Sequence, residues 1–343
     1  MKTVFSLAQL AHAPELEISD GQLTPAVEIP SRAEIVRDEV IRRRIGPLWT
    51  PQDFGRAPLE RVHTPDYLDF LEGFWGRWTE AGRTRDAFPY VLPVRQLRPT
   101  PTPLAIDGAL GRYAFDTGTP LTAHTWEAAT ASANTALTAA RFLREGDRAA
   151  FALCRPPGHH AAADYYGGYC FLNNAAIAAQ WLRDQGTARV AILDIDYHHG
   201  NGTQSIFYDR SDVMVLNIHA DPRQDYPFFL GHADETGEKA GTGYTHNWPL
   251  PLGTDWTGYA AALEEACRWL GVYSPDVLIV SLGLDTYEAD PISKFRLVSD
   301  DYLRIGARLA RLGKPTLFVL EGGYAVDALG LNCVNVLEGF LAG

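Results

Sequence analysis

Six short and nearly unbroken apolar runs punctuate the chain, at Thr3 to Leu7, Ala149 to Cys154, Val190 to Leu193, Val213 to Ile218, Val277 to Leu282 and Thr316 to Leu320. A strand with one wet face alternates apolar and polar residues. Continuous runs of this length instead point to strands covered on both faces, as in a parallel sheet. Between them lie alanine-rich segments with helical spacing: Trp126 to Arg144, Asn174 to Asp184, Trp256 to Leu270 and Asp300 to Leu312. Strand and helix in alternation predict an α/β fold, with an open, doubly wound, mainly parallel sheet flanked by helices. In such sheets ligands bind beyond the carboxyl ends of the strands. The stretch at about 80–120 breaks the rhythm, with Pro89, Pro93, Pro99, Pro101 and Pro103 set among arginines. A loop of that length inside a compact domain is functional or interfacial. The expectation is one domain over residues 1–343, with a large insertion at about 80–120.

Polar clusters close four of the runs. After Leu193 come Asp194, Ile195, Asp196, Tyr197 and His198; if the strand persists, Asp194, Asp196 and His198 project to one side. Carboxylates and an imidazole suit Zn²⁺ or another divalent ion of similar preference, with one position left for water and substrate. After Cys154 come Arg155, Pro156, Pro157, Gly158, His159 and His160. Here the prolines pin the backbone, the glycine turns it, and a neutral His accepts a proton from water. Glu321, Gly322, Gly323 and Tyr324 follow Leu320, and the paired glycines swing a phenol into a cleft as a hydrogen-bond donor. Asp285 lies just beyond Leu282. Singly, each has an ordinary explanation: a solvated loop, surface histidines, a half-buried tyrosine, a helix N-cap. Four such groups at the ends of apolar runs are better explained by one crevice. Asp196, His198 and Asp285 are the expected metal ligands, His159 or His160 the general base, and Tyr324 the donor to an oxyanion. Together they describe hydrolysis of an amide.

Composition narrows this further. At 343 residues and 46% hydrophobic content the chain can bury a large core. A formal net charge of −12 argues against a nucleic-acid binder, which needs a basic stripe. Cys154, Cys170, Cys267 and Cys333 show no paired spacing and read as buried thiols of a reducing compartment. Lys2 is the sole basic residue before the run Val4 to Ala13, which Gln9 and His12 interrupt. No signal peptide and no membrane-spanning stretch is expected, and the location expected is cytoplasmic.

Five segments carry a resemblance: RPPGHH from Arg155, GGYCFLNNAAIAA from Gly167, ILDIDYHHGNGTQ from Ile192, SLGLDTYEADP from Ser281 and LEGGY from Leu320. In this order they resemble the histone deacetylase superfamily, with its arginase-deacetylase fold. AFPYVLPVRQLR from Ala87, IDGALG from Ile106 and FLGHADETG from Phe229 are similar to the bacterial acetylpolyamine amidohydrolase branch.

The resemblance implies one Zn²⁺ per chain at Asp196, His198 and Asp285. It makes His160 the proton-transferring histidine, oriented by Asn201, and His159 its electrostatic companion, oriented by Asp194. It implies a structural monovalent cation, K⁺ or Na⁺, near Asp194, Asp196, His198, Asn217 and Ile218, with Asn217 standing where Ser is expected. A second such site would use backbone oxygens around Phe207, Arg210, Val213 and Tyr244. Tyr169 and Tyr226 would wall a narrow channel beside Gly168, with Ile292 at the rim. The insertion would build a homodimer whose partner loop narrows the entrance and supplies acidic residues. Asp107 matches one of these, and the other falls at Gly118, with Asp116 nearby. The implied substrate is a small cationic acetylated amine, such as acetylputrescine or acetylcadaverine. Alternatives are a protein lysine deacetylase, a binuclear manganese ureohydrolase needing extra bridging carboxylates, and a binding protein with a dead hydrolase site.

Overall fold

The computed structural model describes residues 1–19, 21–93 and 103–343. Pro99, Pro101 and the end of the segment from Ala87, residues 94–98, lie outside the described residues. The strands are β1 (Lys2–Val4), β2 (Leu16–Ser19), β3 (Gln22–Pro25), β4 (Leu48–Trp49), β5 (Ala149–Ala152), β6 (Val190–Asp194), β7 (Val213–Ala220), β8 (Thr245–Leu250), β9 (Val277–Leu282) and β10 (Thr316–Leu320). The helices are α1 (Ser31–Arg42), α2 (Ala57–Glu60), α3 (Pro65–Glu80), α4 (Ile106–Arg112), α5 (Thr125–Arg144), α6 (Asn174–Asp184), α7 (Asn201–Phe207), α8 (Trp256–Tyr273), α9 (Ser299–Ala310) and α10 (Val326–Ala342).

Eight strands form one sheet in the order β4-β1-β5-β10-β9-β6-β7-β8, with every described neighbour pair parallel. β2 and β3 make a separate antiparallel hairpin. The unbroken apolar runs are explained by burial on both sides. Along β6, Val190 and Ile192 enter one core while Ala191 and Leu193 enter the other; along β10, Leu317 and Val319 oppose Phe318 and Leu320 in the same way. The first core takes in the buried faces of α3, α5 and α6, and the second those of α1, α8, α9 and α10.

Three differences from the sequence reading have physical causes. β6 stops at Asp194, because the Asp196 N–H turns back to Asp194 Oδ1 at 3.1 Å and the His198 N–H to Asp196 Oδ1 at 2.9 Å. Asp194, Asp196 and His198 therefore do not share one strand face; a curled loop carries the last two. The first run is strand only to Val4, with Leu7 opening a 3₁₀ turn. β8 reads Thr-His-Asn-Trp-Pro-Leu, too polar to stand out as a run, and it sits at the edge of the sheet where its Pro249 is tolerated.

Within the insertion, α4 and an antiparallel bridge between Ala87 and Leu121 are formed. All four cysteines are buried and unpaired by disulfides. Among the described residues, no helix is long and apolar enough to cross a membrane.

Candidate active site

The carboxyl ends of β5, β10, β9 and β6 lie side by side in the sheet. Each releases a loop that carries one of the polar clusters. Asp196, His198 and Asp285 meet there, buried, with one ligand atom from each lying within 4.8 Å of the others. His198 Nδ1 stands 3.1 Å from Asp285 Oδ2 and 3.3 Å from Asp196 Oδ1. The remaining carboxylate oxygens are held by backbone. Asp285 Oδ1 accepts the Tyr197 N–H at 2.9 Å, and Asp196 Oδ2 accepts the Gly322 N–H at 2.9 Å. Glycine is required at 322, since a Cβ there would lie 2.5 Å from Asp285 Oδ2 and 2.6 Å from Asp196 Oδ2.

The electrostatics are those of a cation site. Burial disfavours a charged His198, yet hydrogen bonds to Asp196 and Asp285 outweigh it and raise the imidazole to about 10. Burial, followed by the neighbouring Asp196, pushes Asp285 up to about 7. Two buried carboxylates crowded beside one imidazole are what a divalent ion would neutralise. One borderline nitrogen and two hard oxygens fit Zn²⁺ or a similar ion, so the residues present match the implied metal.

The two histidines differ in charge although they are adjacent. His159 Nδ1 donates to Asp194 Oδ2 at 2.9 Å. Burial opposes its charge, but Asp196 and Asp194 prevail and hold it at about 10. His160 Nδ1 lies 2.6 Å from Asn201 Oδ1 at the start of α7. The Asn201 amide nitrogen faces the His160 carbonyl at 3.5 Å and the Tyr165 hydroxyl at 3.4 Å. That assignment puts the His160 proton on Nδ1 and leaves Nε2 as an acceptor. Burial, then the charges of His159 and His198, drives His160 well below the ordinary histidine range. The neighbouring carboxylates thus favour charge on one imidazole of the pair, while burial beside it disfavours charge on the other.

Tyr324 is held from behind. Its N–H and that of Ala325 donate to Asp290 Oδ2 at 2.7 and 3.2 Å. The Arg32 guanidinium lies 4.6 Å from the centre of its ring and donates to the carbonyls of Gly323 at 2.6 Å and Glu321 at 2.8 Å. Burial pushes the phenol well above its ordinary value, so it keeps the proton it would donate. Arg32 and Arg155 share Glu28 Oε1, each at 2.8 Å, which neutralises one of two fully buried guanidiniums. Glu321 Oε2 accepts the N–H groups of Gly158 and His159 at 2.6 and 3.2 Å, tying the β10 loop to the histidine loop.

These groups open into a cleft of about 570 Å³, a volume in the range of small-molecule sites. His159, His160, His198, Tyr169, Tyr226 and Tyr324 line it, with Gly168 and Ile292. The sequence reading missed Glu17, which also lines it, accepts the Tyr169 hydroxyl at 3.1 Å and comes from β2, a segment without chemical punctuation. Arg32, Glu28 and Asp290 were missed as well, whereas Glu321 stood inside a noted motif without a role. Asp116 and Gly118 line the cleft, but Asp107 does not; it sits in the first turn of α4, paired with Arg83.

Beside the metal cluster, Asn217 Oδ1 is buried without a partner, while its amide nitrogen donates to Asn247 Oδ1 at 3.2 Å. Asn217 pairs with Asp194 across β6 and β7, and a Cβ on Gly200 would meet both Asp194 Oδ2 and Asn217 Oδ1. An orphaned oxygen next to a carboxylate oxygen suits the expected monovalent cation. Of the second expected site, Phe207 ends α7, Val213 opens β7, and the carbonyls of Phe207 and Tyr244 already accept the N–H groups of Arg210 and Val215. A further group, His159, Cys170 and Glu321, comes together among the described residues, but its histidine and its glutamate have the partners just named.

Comparison with known proteins agrees with this geometry. Residues 26–340 match the histone deacetylase domain. The chain is 56% identical over 341 residues to acetylpolyamine amidohydrolase 1 of Pseudomonas aeruginosa, with 99% of each protein covered. It is 44% identical over 339 residues to acetylpolyamine amidohydrolase of Mycoplana ramosa, again with 99% of each covered. The crystal structure of acetylpolyamine aminohydrolase from Burkholderia pseudomallei superimposes with a TM-score of 0.95 at 40% identity, covering 100% of this chain and 99% of that one. With its fold, its ordered motifs and its relatives in accord over nearly the whole length, the chain belongs to the histone deacetylase family.

Proposed function

We propose that this protein is a metal-dependent amidohydrolase that removes the acetyl group from small N-acetylated diamines or polyamines. The observation that carries the chemistry is the pairing of His160, held by Asn201, with His159, held by Asp194, beside the Asp196, His198 and Asp285 cluster. The relatives named acetylpolyamine amidohydrolases, similar along their full length, support the substrate class.

Zn²⁺ held by Asp196, His198 and Asp285 would polarise the acetyl carbonyl and acidify the attacking water. His160 takes the proton of that water at Nε2, with Asn201 fixing the tautomer, and returns it to the departing amine. His159, kept charged by Asp194, stabilises negative charge without exchanging its proton. Tyr324 donates its hydroxyl to the oxygen that gains charge as the carbonyl becomes tetrahedral. Tyr169 and Tyr226 flank the chain of the substrate, and their flat faces suit methylene groups. A monovalent cation at Asp194, Asp196, His198, Asn217 and Ile218, and another near Phe207, Arg210, Val213 and Tyr244, brace the loop from beneath.

The insertion at about 80–120 forms a homodimer interface and narrows the entrance, and Asp107, which does not line the cleft of its own chain, would offer its charge to the distal amine only across that interface. Exposed Tyr90, Val91 and Leu104 in that segment favour such a contact. The four buried thiols favour a cytoplasmic location.

Steady-state kinetics on acetylputrescine, acetylcadaverine, acetylspermidine and an acetyl-lysine peptide test the assignment. One of the amines is expected to be the best substrate. Turnover of the peptide far above every amine would replace the reading with a protein lysine deacetylase, and two catalytic ions per chain would overturn the single-metal site.

A further inference from the structure

Asp116 has an unusual set of partners for a carboxylate lining a cleft. Its Oδ2 accepts the Gly168 N–H at 2.6 Å, the Tyr226 hydroxyl at 2.8 Å and the Thr119 hydroxyl at 3.2 Å. Its Oδ1 accepts the N–H groups of Gly118 at 3.1 Å and Thr119 at 3.0 Å. Five donors converge on one side chain, which leaves it poorly placed to receive a cationic substrate group as well. Two of those donors come from different loops that both line the cleft. Gly168 precedes Tyr169 in the loop before α6, whereas Tyr226 comes from the loop after β7.

The tie lies against the reacting groups. Gly168 adopts φ +54, and a Cβ there would lie 2.2 Å from the His160 ring and 2.9 Å from the Tyr226 hydroxyl oxygen. The Tyr226 ring stands edge-on to His160, with centroids 5.2 Å apart at 88°, and edge-on to His198 at 5.9 Å. A shift of Tyr226 away from Gly168 would therefore widen the passage directly above the reacting groups. A phenylalanine at 226 would fill the same space but could not be fastened in this way.

We propose that Asp116 is a positioning residue that sets the width of the substrate channel, by fastening Tyr226 to the Gly168 loop, and so restricts the enzyme to slender, unbranched chains. This rests on the assignment of Tyr169 and Tyr226 as channel walls. Asp116 acts through Tyr226 rather than by touching substrate, so its removal and removal of the phenol should have the same effect, once.

The test uses the metal-loaded full chain and two alkyl hydroxamates of equal length, one straight and one methyl-branched beside the chelating group, with Kd measured by calorimetric titration. The wild type should favour the straight compound by about tenfold or more, the scale set by one misplaced methyl group. Asp116→Ala and Tyr226→Phe should each lower that ratio several-fold. The double variant should lower it no further than the more affected single one, as coupled positions do. An unchanged ratio in either single variant, additive effects in the double one, or a wild type that does not discriminate would overturn the proposal. Should Asp116→Ala fail to fold, Tyr226→Phe decides alone. A wild type that binds the straight hydroxamate yet hydrolyses no acetylated amine would remove the proposed activity, while the Kd ratios would still judge the channel.

Discussion

The floor of the cleft and its rim are built on opposite plans. At the floor, the loops after β5, β6, β9 and β10 are cross-braced: Glu321 holds the histidine loop, Asp196 holds Gly322, Asp285 holds Tyr197, and Asp290 holds Tyr324. Each brace is a carboxylate on backbone N–H groups; three join loops that leave adjacent strands of the sheet, and the one from Asp196 to Gly322 reaches across β9 from the β6 loop to the β10 loop. The rim is assembled from Glu17 on a two-stranded hairpin, the Asp116 to Thr119 turn, Tyr226 and Ile292, none of which lies in the main sheet. Chemistry sensitive to a fraction of an ångström is anchored to the sheet, while selection is left to loops that can change without disturbing it.

That division is open to direct attack. His160→Ala, at the floor, is expected to lower kcat by about 10² to 10⁴-fold, the usual contribution of a general base. Tyr324→Phe should cost about 10² to 10³-fold in kcat with metal content unchanged by elemental analysis. Near-normal turnover by either would mean that the floor residues are structural rather than reactive. In the insertion, away from the cleft of its own chain, Asp107→Asn should leave kcat alone and raise KM for acetylated amines by at most about fivefold, the worth of one exposed ion pair. A fall in kcat of the floor's size there would erase the distinction between the two regions.

The amino end of the sheet supplies a reference far from both. Hydrogen bonding from Arg210, against some loss of hydration and with help from Arg183, lowers Asp212 from its ordinary 3.8 to about 2. A carboxylate whose folded value is depressed stabilises the fold above its unfolded value, and that contribution fades as pH falls from about 4 through about 2. Asp212→Asn should therefore lower the melting temperature slightly at neutral pH, with the gap closing towards pH 2 and kcat untouched throughout. A gap that widened on acidification would reverse the assignment.

Floor and rim also differ in how plainly the chain announces them. β5, β6, β7, β9 and β10 are visible because both faces are buried, which keeps each run mostly apolar, and the chemical residues then stand out where most of the runs stop. β4 is too short and β8 too polar to be seen. α1 hides because only Ala33, Val36 and Val40 of its apolar residues are buried, among charges that resemble a solvated surface. Arg32 looks like one of those charges, and only its complete burial over Tyr324 reveals a role. The expected shared face of Asp194, Asp196 and His198 failed because side chains bonded to the backbone two residues ahead end the strand, an effect invisible to alternation. Asp116 lies in an irregular segment and Glu17 on a short hairpin, and both meet partners far away in sequence, Gly168 and Tyr226 for the one and Tyr169 for the other, so no local pattern marks them.

The position of β10 has a consequence for how the protein is made. Although it is the last strand in the chain, it lies inside the sheet, between β5 and β9. During synthesis the earlier strands must wait with two apolar edges facing each other across a gap, and such edges invite wrong pairing. Only when Thr316–Leu320 has emerged can that gap close, and with it comes the Gly-Gly-Tyr turn that Arg32 has been waiting to clasp. A chain that stops short of Thr316 therefore lacks the Tyr324 hydroxyl and leaves the facing edges of β5 and β9 unpaired.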